Sequence, residues 1–219
     1  MSTFQKPTRG TSRMEKNAEG RSPKVEACID IAVDWIYQTI RRAEYFPMGV
    51  IDLGCDSGYM LHRFRTLQPT RPALFTLGVD MYSNGSLFPD VEIMREDVCS
   101  AVLPERIFQE TEILESLEVE EGQLLVTMSH ALEHVCNPHA AIQNIKALRP
   151  NYVYIAVPEA NSEWANWGSH LTCWTEEFLR HTMVDTHGFE EISMVTRSLN
   201  PEGLKEVWGL FSFRESEAR

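Results

Sequence analysis

The stretch that decides the fold is Val50-Ile51-Asp52-Leu53-Gly54-Cys55-Asp56-Ser57-Gly58. It joins an apolar run, typical of a buried strand, to a turn with glycines at positions 54 and 58. Because glycine has no Cβ, it lets the backbone turn sharply and approach a ligand closely. Residues 59–67 can follow as a helix, whose free N–H groups would face that ligand. The stretch therefore predicts an α/β domain with a ligand-binding turn after an early strand.

The positions that lack glycine restrict the ligand. A dinucleotide fingerprint requires G-x-G-x-x-G, but alignment on Gly54 puts Asp56 and Tyr59 at its second and third glycines. A carboxylate would then face a pyrophosphate of the same charge. A Lys-Ser or Lys-Thr pair, which a phosphate-cradling loop needs, does not follow the glycines. The turn favours a cofactor without phosphate, and a dinucleotide oxidoreductase is the disfavoured alternative.

The same turn resembles the first motif of class I S-adenosylmethionine-dependent methyltransferases, D/E-x-G-x-G-x-G. The third position of the motif departs from the family, because Asp56 replaces a glycine. S-adenosylmethionine carries a sulfonium, an ammonium and a carboxylate, so an acid is less unfavourable beside it than beside a pyrophosphate. The resemblance implies that cofactor contacts come from Asp52, Gly54, Cys55, Asp56 and Gly58.

Two later segments resemble further motifs of this family. Residues 74–79 read as a buried strand ending at Asp80, where the family binds the ribose hydroxyls. Residues 91–94 read as a third strand, followed by Glu96 and Asp97, where the family places an acid against the adenine amino group. We assign that role to Asp97. The resemblance therefore adds four cofactor-binding residues: Asp80, Met81, Asp97 and Val98.

The most specific resemblance follows the predicted fourth strand, residues 124–128. The segment Ser129-His130-Ala131-Leu132-Glu133-His134-Val135 is similar to the H-x-L-E-H-V segment of a methyltransferase subgroup that acts mostly on small molecules. A later stretch, from His170 to Thr175, is similar to the subgroup's H-x-x-x-(F/W)-(S/T) segment. The resemblance implies a cofactor contact at Ser129. His134, His130 and His170 are candidate general bases, since an imidazole can accept a proton near neutral pH.

Each of these histidines also has a structural alternative. His130 could line the cofactor through its backbone, and His134 could hydrogen-bond within its own turn. Glu133, His134, Glu159 and His170 could instead gather into a divalent-metal site. Their spacing is not a recognised local metal motif, so no metal is predicted.

Three tryptophans flank His170 in the sequence: Trp164, Trp167 and Trp174. They could form the apolar wall of a substrate pocket. Packing within the core is an equal alternative.

The order of the elements predicts the fold class. Strands alternate with helical patterns, which predicts a Rossmann-like, seven-stranded, mostly parallel sheet with helices on both faces. Residues 192–196 and 207–213 form a closing pair of strands without an intervening helix, so one strand should be antiparallel. Asn137 before Pro138, and Thr175 before two glutamates, are typical helix starts.

Charge divides the 219 residues into two parts. Residues 1–24 contain six Lys or Arg against two Glu, although the whole chain has a net charge of −12. We interpret 1–24 as a flexible basic arm, with a possible protein partner, and 25–219 as a single methyltransferase-like domain. The acidic body disfavours nucleic acid as a partner. Residues 100–122 are rich in Glu and predict a solvated surface helix or an acidic rim.

Localisation follows from what the sequence lacks. It contains neither an apolar run near the ~20 residues of a membrane span nor an apolar signal-peptide core. Its five cysteines form no C-x-x-C pair. The sequence therefore predicts a cytoplasmic protein with reduced thiols and no membrane association.

Taken together, the resemblance implies transfer of a methyl group from S-adenosylmethionine to a small-molecule acceptor by in-line displacement. The alternative is a catalytically inactive methyltransferase-like scaffold or assembly protein, suggested by Asp56 and the basic arm. The five acids and glycines that would bind the cofactor favour the enzyme, because a scaffold has no physical need of them: Asp52, Gly54, Gly58, Asp80 and Asp97.

Overall fold

A computed structural model describes residues 23–41, 47–66, 75–110, 124–162, 168–198 and 204–213. Three predictions concern residues outside these ranges. They are the basic arm up to residue 22, the acidic segment at 111–122, and the pocket wall at Trp164 and Trp167.

Seven strands form one sheet in the order β3-β2-β1-β4-β5-β7-β6. Strand β7 pairs antiparallel with both β5 and β6, and the other pairs are parallel. The predicted mostly parallel sheet with one antiparallel strand is confirmed. The strands are β1 (Gly49–Leu53), β2 (Phe75–Val79), β3 (Glu92–Met94), β4 (Leu124–Ser129), β5 (Tyr152–Pro158), β6 (Glu190–Ser198) and β7 (Lys205–Ser212).

Two helices begin at the caps that the sequence predicts. The side chain of Asn137 accepts a hydrogen bond from the Ala140 N–H, and Thr175 accepts one from the Phe178 N–H. None of the described helices is long and apolar enough to cross a membrane. The helices are α1 (Pro23–Arg41), α2 (Tyr59–Thr66), α3 (Leu103–Glu110), α4 (Pro138–Ala147) and α5 (Glu176–Arg180), with a 3₁₀ turn at Leu132–His134 and a π turn at His181–Thr186.

Two apolar clusters cover the two faces of the sheet. Side chains alternate along β1, so that Val50 joins the cluster under α1 and α2, whereas Ile51 joins the cluster under α3, α4 and α5. The predicted helices on both faces are confirmed. Trp174 is fully buried in the second cluster and stacks on Phe178 with ring centroids 4.9 Å apart. Trp174 therefore packs in the core.

The strand order creates a crevice at the carboxyl ends of β1 and β4. From β1 the chain first adds β2 and β3 on one side, and then crosses to β4 on the other side. In open parallel sheets, ligands bind at this change of direction. The glycine turn follows β1 and His130 follows β4, so both motifs lie at this crevice.

Candidate cofactor and active site

The glycines of the turn are required by the protein's own packing. Gly54 has a φ of +80°, and a Cβ there would lie 2.3 Å from the Ala131 Cβ. Gly58 has a φ of +83°, and its Cβ would lie 2.9 Å from a methyl group of Val91. The Gly54 N–H donates to the Val79 carbonyl at 2.7 Å. The turn after β1 is thus packed tightly against the ends of β2 and β4.

Asp56 adopts a backbone conformation that favours glycine. Its φ is +49°, in the left-handed region that aspartate tolerates better than most residues. The residue is exposed, and its N–H donates to the Asp80 Oδ2 at 3.0 Å. Asp56 therefore contributes a backbone donor to the site.

Asp80 is held from two sides at the end of β2. Its Oδ2 accepts from Asp56, and its Oδ1 accepts from the Tyr82 N–H at 2.7 Å. Each carboxylate oxygen can accept two hydrogen bonds, so one acceptor position on each remains for a ligand hydroxyl. Met81, 40% exposed, flanks this carboxylate.

The two acids after β3 have different surroundings. Glu96 pairs with Arg106 and accepts from the Asp97 N–H at 3.0 Å. The hydrogen bond from Asp97 and the contact with Arg106 lower the pKa of Glu96. Asp97 is half-buried and accepts from the Cys99 N–H at 2.9 Å, beside the buried Val98. These contacts support the choice of Asp97 as the ligand-facing acid.

Two predicted cofactor residues have side chains within the framework below the turn. Asp52 is buried and accepts a hydrogen bond from the Thr127 hydroxyl at 2.7 Å, which ties β1 to β4. A Cβ on Gly78 would lie only 2.5 Å from the sulfur of the buried Cys55, so Cys55 packs against the space that Gly78 leaves open. Thr127 and Gly78 were missed by the sequence analysis. They belong to neighbouring strands and carry no local motif.

His130 lies at the carboxyl end of β4, next to the half-buried Ser129, and is held there by a buried carboxylate. Its φ is +52°, and its Nε2 lies 2.6 Å from the Oε1 of the buried Glu206. The other oxygen of Glu206 accepts from the Trp208 Nε1–H at 2.6 Å. Glu206 was also missed, because it lies on β7, far along the chain, and only sheet pairing brings it to His130.

This environment sets the charge of His130. Burial alone lowers its pKa, but the charges of Glu206 and Glu133 and the contacts with both carboxylates outweigh it and raise the pKa to about 10. The side chain remains 34% exposed at the crevice. His130 is therefore an imidazolium at neutral pH.

Glu133 and His134 lie on the 3₁₀ turn after His130. The His134 Nδ1 lies 2.9 Å from the Ser169 carbonyl, and its Nε2 lies 3.8 Å from the Glu133 Oε1. The Glu133 carbonyl accepts from the Leu171 N–H at 2.7 Å, which holds the neighbouring His170 over the turn. The His134 and His170 rings meet edge-on, with centroids 4.8 Å apart.

The structure gathers most of the residues that the sequence singled out as possible ligands. Glu133, His134 and His170 each offer a ligand atom, and these atoms lie within 4.8 Å of one another. Glu159 is not part of this group. Its carboxylate accepts from the N–H and the side-chain amide of Asn161, at 3.0 and 2.8 Å.

A protein-family comparison identifies the chain. The family model described as "Methyltransferase domain" matches residues 36–193, which include the glycine turn, Asp80, Asp97 and the three histidines. The chain belongs to this methyltransferase family. It is a class I S-adenosylmethionine-dependent methyltransferase, and S-adenosylmethionine is its cofactor.

Solved methyltransferases share the fold at low sequence identity. The first is 1,6-didemethyltoxoflavin-N1-methyltransferase from Burkholderia thailandensis, solved with 1,6-didemethyltoxoflavin and S-adenosylhomocysteine. It has a TM-score of 0.62 and 14% identity over 97% of this chain and 94% of that chain. The second is magnesium protoporphyrin IX methyltransferase from Synechocystis PCC 6803, solved with S-adenosylmethionine. It has a TM-score of 0.57 and 12% identity, over 94% and 92% of the two chains.

A third relative was solved in a protein complex. The complex joins the Haloferax volcanii Trm112 methyltransferase activator and a methyltransferase, with a TM-score of 0.56 and 15% identity over 89% of this chain and 96% of that chain. The comparison with curated proteins gives no significant match.

The crevice of this methyltransferase fits its cofactor. Asp80 presents acceptor positions suited to a pair of ribose hydroxyls, and Asp97 stands at the end of the adjacent strand β3. Asp56 is an exposed acid at the turn, where a pyrophosphate would be repelled. These features suit a sulfonium cofactor better than a dinucleotide.

Proposed function

We propose that this methyltransferase transfers the methyl group of S-adenosylmethionine to a small-molecule acceptor by in-line displacement. The observation that carries the proposal is the fixed Asp80 carboxylate at the end of β2, with the cluster of Glu133, His134 and His170 at the turn that follows β4. Two of the solved relatives carry small-molecule names or ligands, which supports an acceptor of that class.

Different residues would bind the different parts of the cofactor. The bound cofactor supplies the sulfonium methyl. Asp80 would accept the ribose hydroxyls, and Asp97 would accept the adenine amino group. The backbone of residues 54–58 would line the rest of the cofactor. The hydrogen bond between Thr127 and Asp52 would support this turn from below. The residues completing the walls would be Met81, Val98 and Ser129.

The acceptor would lie beside the histidines. His130 is engaged by Glu206 at 2.6 Å, so we assign it a positioning role and a positive charge rather than proton acceptance. His134 and His170 face one another over Glu133, and acceptor activation falls to them. Holding the acceptor oxygen or nitrogen in line with the methyl group would supply much of the rate.

The activity would reside in a single domain of a cytoplasmic protein. This domain would include helix α1 from Pro23, two residues before the predicted boundary, and the basic residues that precede it would bind a protein partner. A net charge of −12 makes a nucleic-acid acceptor unfavourable.

Calorimetric titration tests the cofactor site directly. We expect S-adenosylmethionine and S-adenosylhomocysteine to bind with micromolar affinity, and NAD to show no binding. Asp90, which pairs with Arg65 on the surface, provides a matched control, so Asp80→Ala should weaken binding and Asp90→Ala should not. A folded protein that binds neither adenosyl ligand would overturn the proposal. Binding would justify a screen of phenolic, carboxylic and amine acceptors with labelled methyl donor.

A further inference from the structure

The carboxylate of Glu133 is buried without a hydrogen bond. Its side chain is 1% exposed, and neither of its oxygens has a hydrogen-bond partner among the described residues. In the described part of the chain, two basic atoms lie within 4 Å of its Oε1: the Nδ1 of His130 at 3.5 Å and the Nε2 of His134 at 3.8 Å. Both distances are those of long ionic contacts. A buried polar group without a hydrogen bond is costly, so a bound ligand at this position would stabilise the carboxyl group.

The imidazole of His130 does not supply the missing hydrogen bond. Its Nε2 lies 2.6 Å from the Glu206 Oε1, whereas its Nδ1 stays 3.5 Å from the Glu133 Oε1. A buried oxygen that the described residues leave without a hydrogen bond is available to a bound cation.

The orientation of His134 points to the same conclusion. The Ser169 carbonyl can only accept a hydrogen bond, so the His134 Nδ1 carries the hydrogen. In the neutral ring the Nε2 is then a lone pair, and it faces the Glu133 carboxylate. Histidines that bind metals are commonly oriented by such a bond from the other ring nitrogen to a backbone carbonyl.

We propose that Glu133, His134 and His170 bind one divalent transition-metal ion. Two imidazoles and one carboxylate suit Zn²⁺ or a similar first-row ion, whereas Mg²⁺ prefers oxygen ligands. Around a tetrahedral ion with bonds of about 2.1 Å, ligand atoms lie about 3.4 Å apart. The present separations of up to 4.8 Å would close by about 1.4 Å at most.

The position of the ion would suit a role in acceptor binding. Ala131, two residues before Glu133, lies against Gly54 of the cofactor turn. Three protein ligands leave coordination positions open, and a metal at such a site lowers the pKa of a bound hydroxyl. With the ion bound, His134 and His170 would activate the acceptor through the metal and would not accept its proton themselves. The site would thus select acceptors that bear a hydroxyl or two adjacent oxygens. This second step rests on the proposed function, whereas metal binding itself does not.

Titration of the metal-free full chain with ZnCl₂ tests the site. We expect one Zn²⁺ per chain at micromolar affinity or better, with MgCl₂ binding far more weakly. His134→Gln and His170→Gln should each weaken Zn²⁺ binding at least tenfold. His139→Gln is the matched control, because His139 belongs to the other close histidine pair, 2.9 Å from His187. Its Zn²⁺ affinity should equal that of the parent protein.

Two measurements decide the remaining outcomes. The exposed Cys136 and Cys173 could bind metal on their own, and a thiolate charge-transfer band in the Co²⁺ complex would reveal such binding. The proposed site contains no thiolate, so we expect its Co²⁺ complex to lack this band. Such a band, or Zn²⁺ binding that neither histidine variant weakens, would overturn the proposed site. S-adenosylmethionine is titrated into the same samples. Cofactor binding without Zn²⁺ binding overturns only the metal site, and Zn²⁺ binding without cofactor binding overturns only the proposed function.

Discussion

The backbone N–H of Asp56 donates to the Oδ2 of Asp80 at 3.0 Å. This bond connects the turn after β1 to the acid at the end of β2. Asp56 makes it from a left-handed backbone conformation, with a φ of +49°, where the family motif has glycine. Asp56 thus supplies, from a conformation that favours glycine, a backbone bond that orients Asp80, the acid proposed to bind the ribose.

Asp56→Gly should bind S-adenosylmethionine at least as tightly as the parent protein. The backbone donor to Asp80 remains, and the left-handed conformation, which costs a typical L-residue about 1–2 kcal/mol, becomes unstrained. The greater freedom of glycine in the unfolded chain offsets part of this gain. Calorimetry measures the affinity and thermal unfolding measures the stability. Asp56→Ala, which removes the charge but keeps the strain, is the control. A large loss of affinity in both folded variants would show that the Asp56 carboxylate contacts the cofactor.

Asp80→Ala should weaken S-adenosylmethionine binding by roughly 1.5 to 3 kcal/mol, because charge-assisted hydrogen bonds to the ribose are lost. The variant also leaves the N–H groups of Asp56 and Tyr82 without their present acceptor. Calorimetry on the variant and on Asp90→Ala separates this effect from a general change in charge. Unchanged affinity in folded Asp80→Ala would contradict the assignment.

Thr127→Val should destabilise the protein by about 1–3 kcal/mol, since the buried Asp52 loses a hydrogen-bond donor. Thr127→Ser keeps the hydroxyl and should retain more of the stability. Denaturation in urea measures the free energy of unfolding of both variants. Equal stability of Thr127→Val and the parent protein would mean that this bond does not support the framework below the turn.

Stability should fall as the pH drops below about 6.5, the ordinary pKa of histidine. Burial, and then the charges of His139 and Lys146, lower the pKa of His187 in the folded protein. The unfolded chain therefore binds a proton at a higher pH than the folded chain does, so acid favours unfolding. Thermal unfolding between about pH 6.5 and 5.5 measures this slope, because above that range His130, whose pKa is raised to about 10, contributes a slope of the opposite sign. His187→Gln should reduce it, whereas substitution of the exposed His181 should not. The same slope in His187→Gln would assign the pH dependence to other groups.

Much of the fold was predictable because its signals are local. Apolar runs between turn residues predicted the sheet, with strand ends shifted by one or two residues at β6 and β7. Asn137 and Thr175 marked helix starts, because their side chains bond to N–H groups three residues later. The closing pair of strands had no helix between them, which predicted the antiparallel β7.

The site was predictable only in part. The acids at 80 and 97 follow buried strands, and a motif marks them. By contrast, the buried positions of Cys55 and Asp52 depend on Gly78 and Thr127 on neighbouring strands. Such contacts depend on strand order and register, which no local pattern encodes.

The sequence by itself determined the class of sheet, the glycine turn and the acids at the strand ends, because strand period, backbone freedom and capping are properties of short segments. The contacts of the histidines, by contrast, depend on the tertiary structure. It set His130 beside Glu206 and brought His170 to His134 and Glu133, while it left Glu159 with Asn161. These partners lie on different strands and loops. Their charges and distances exist only once the sheet has assembled.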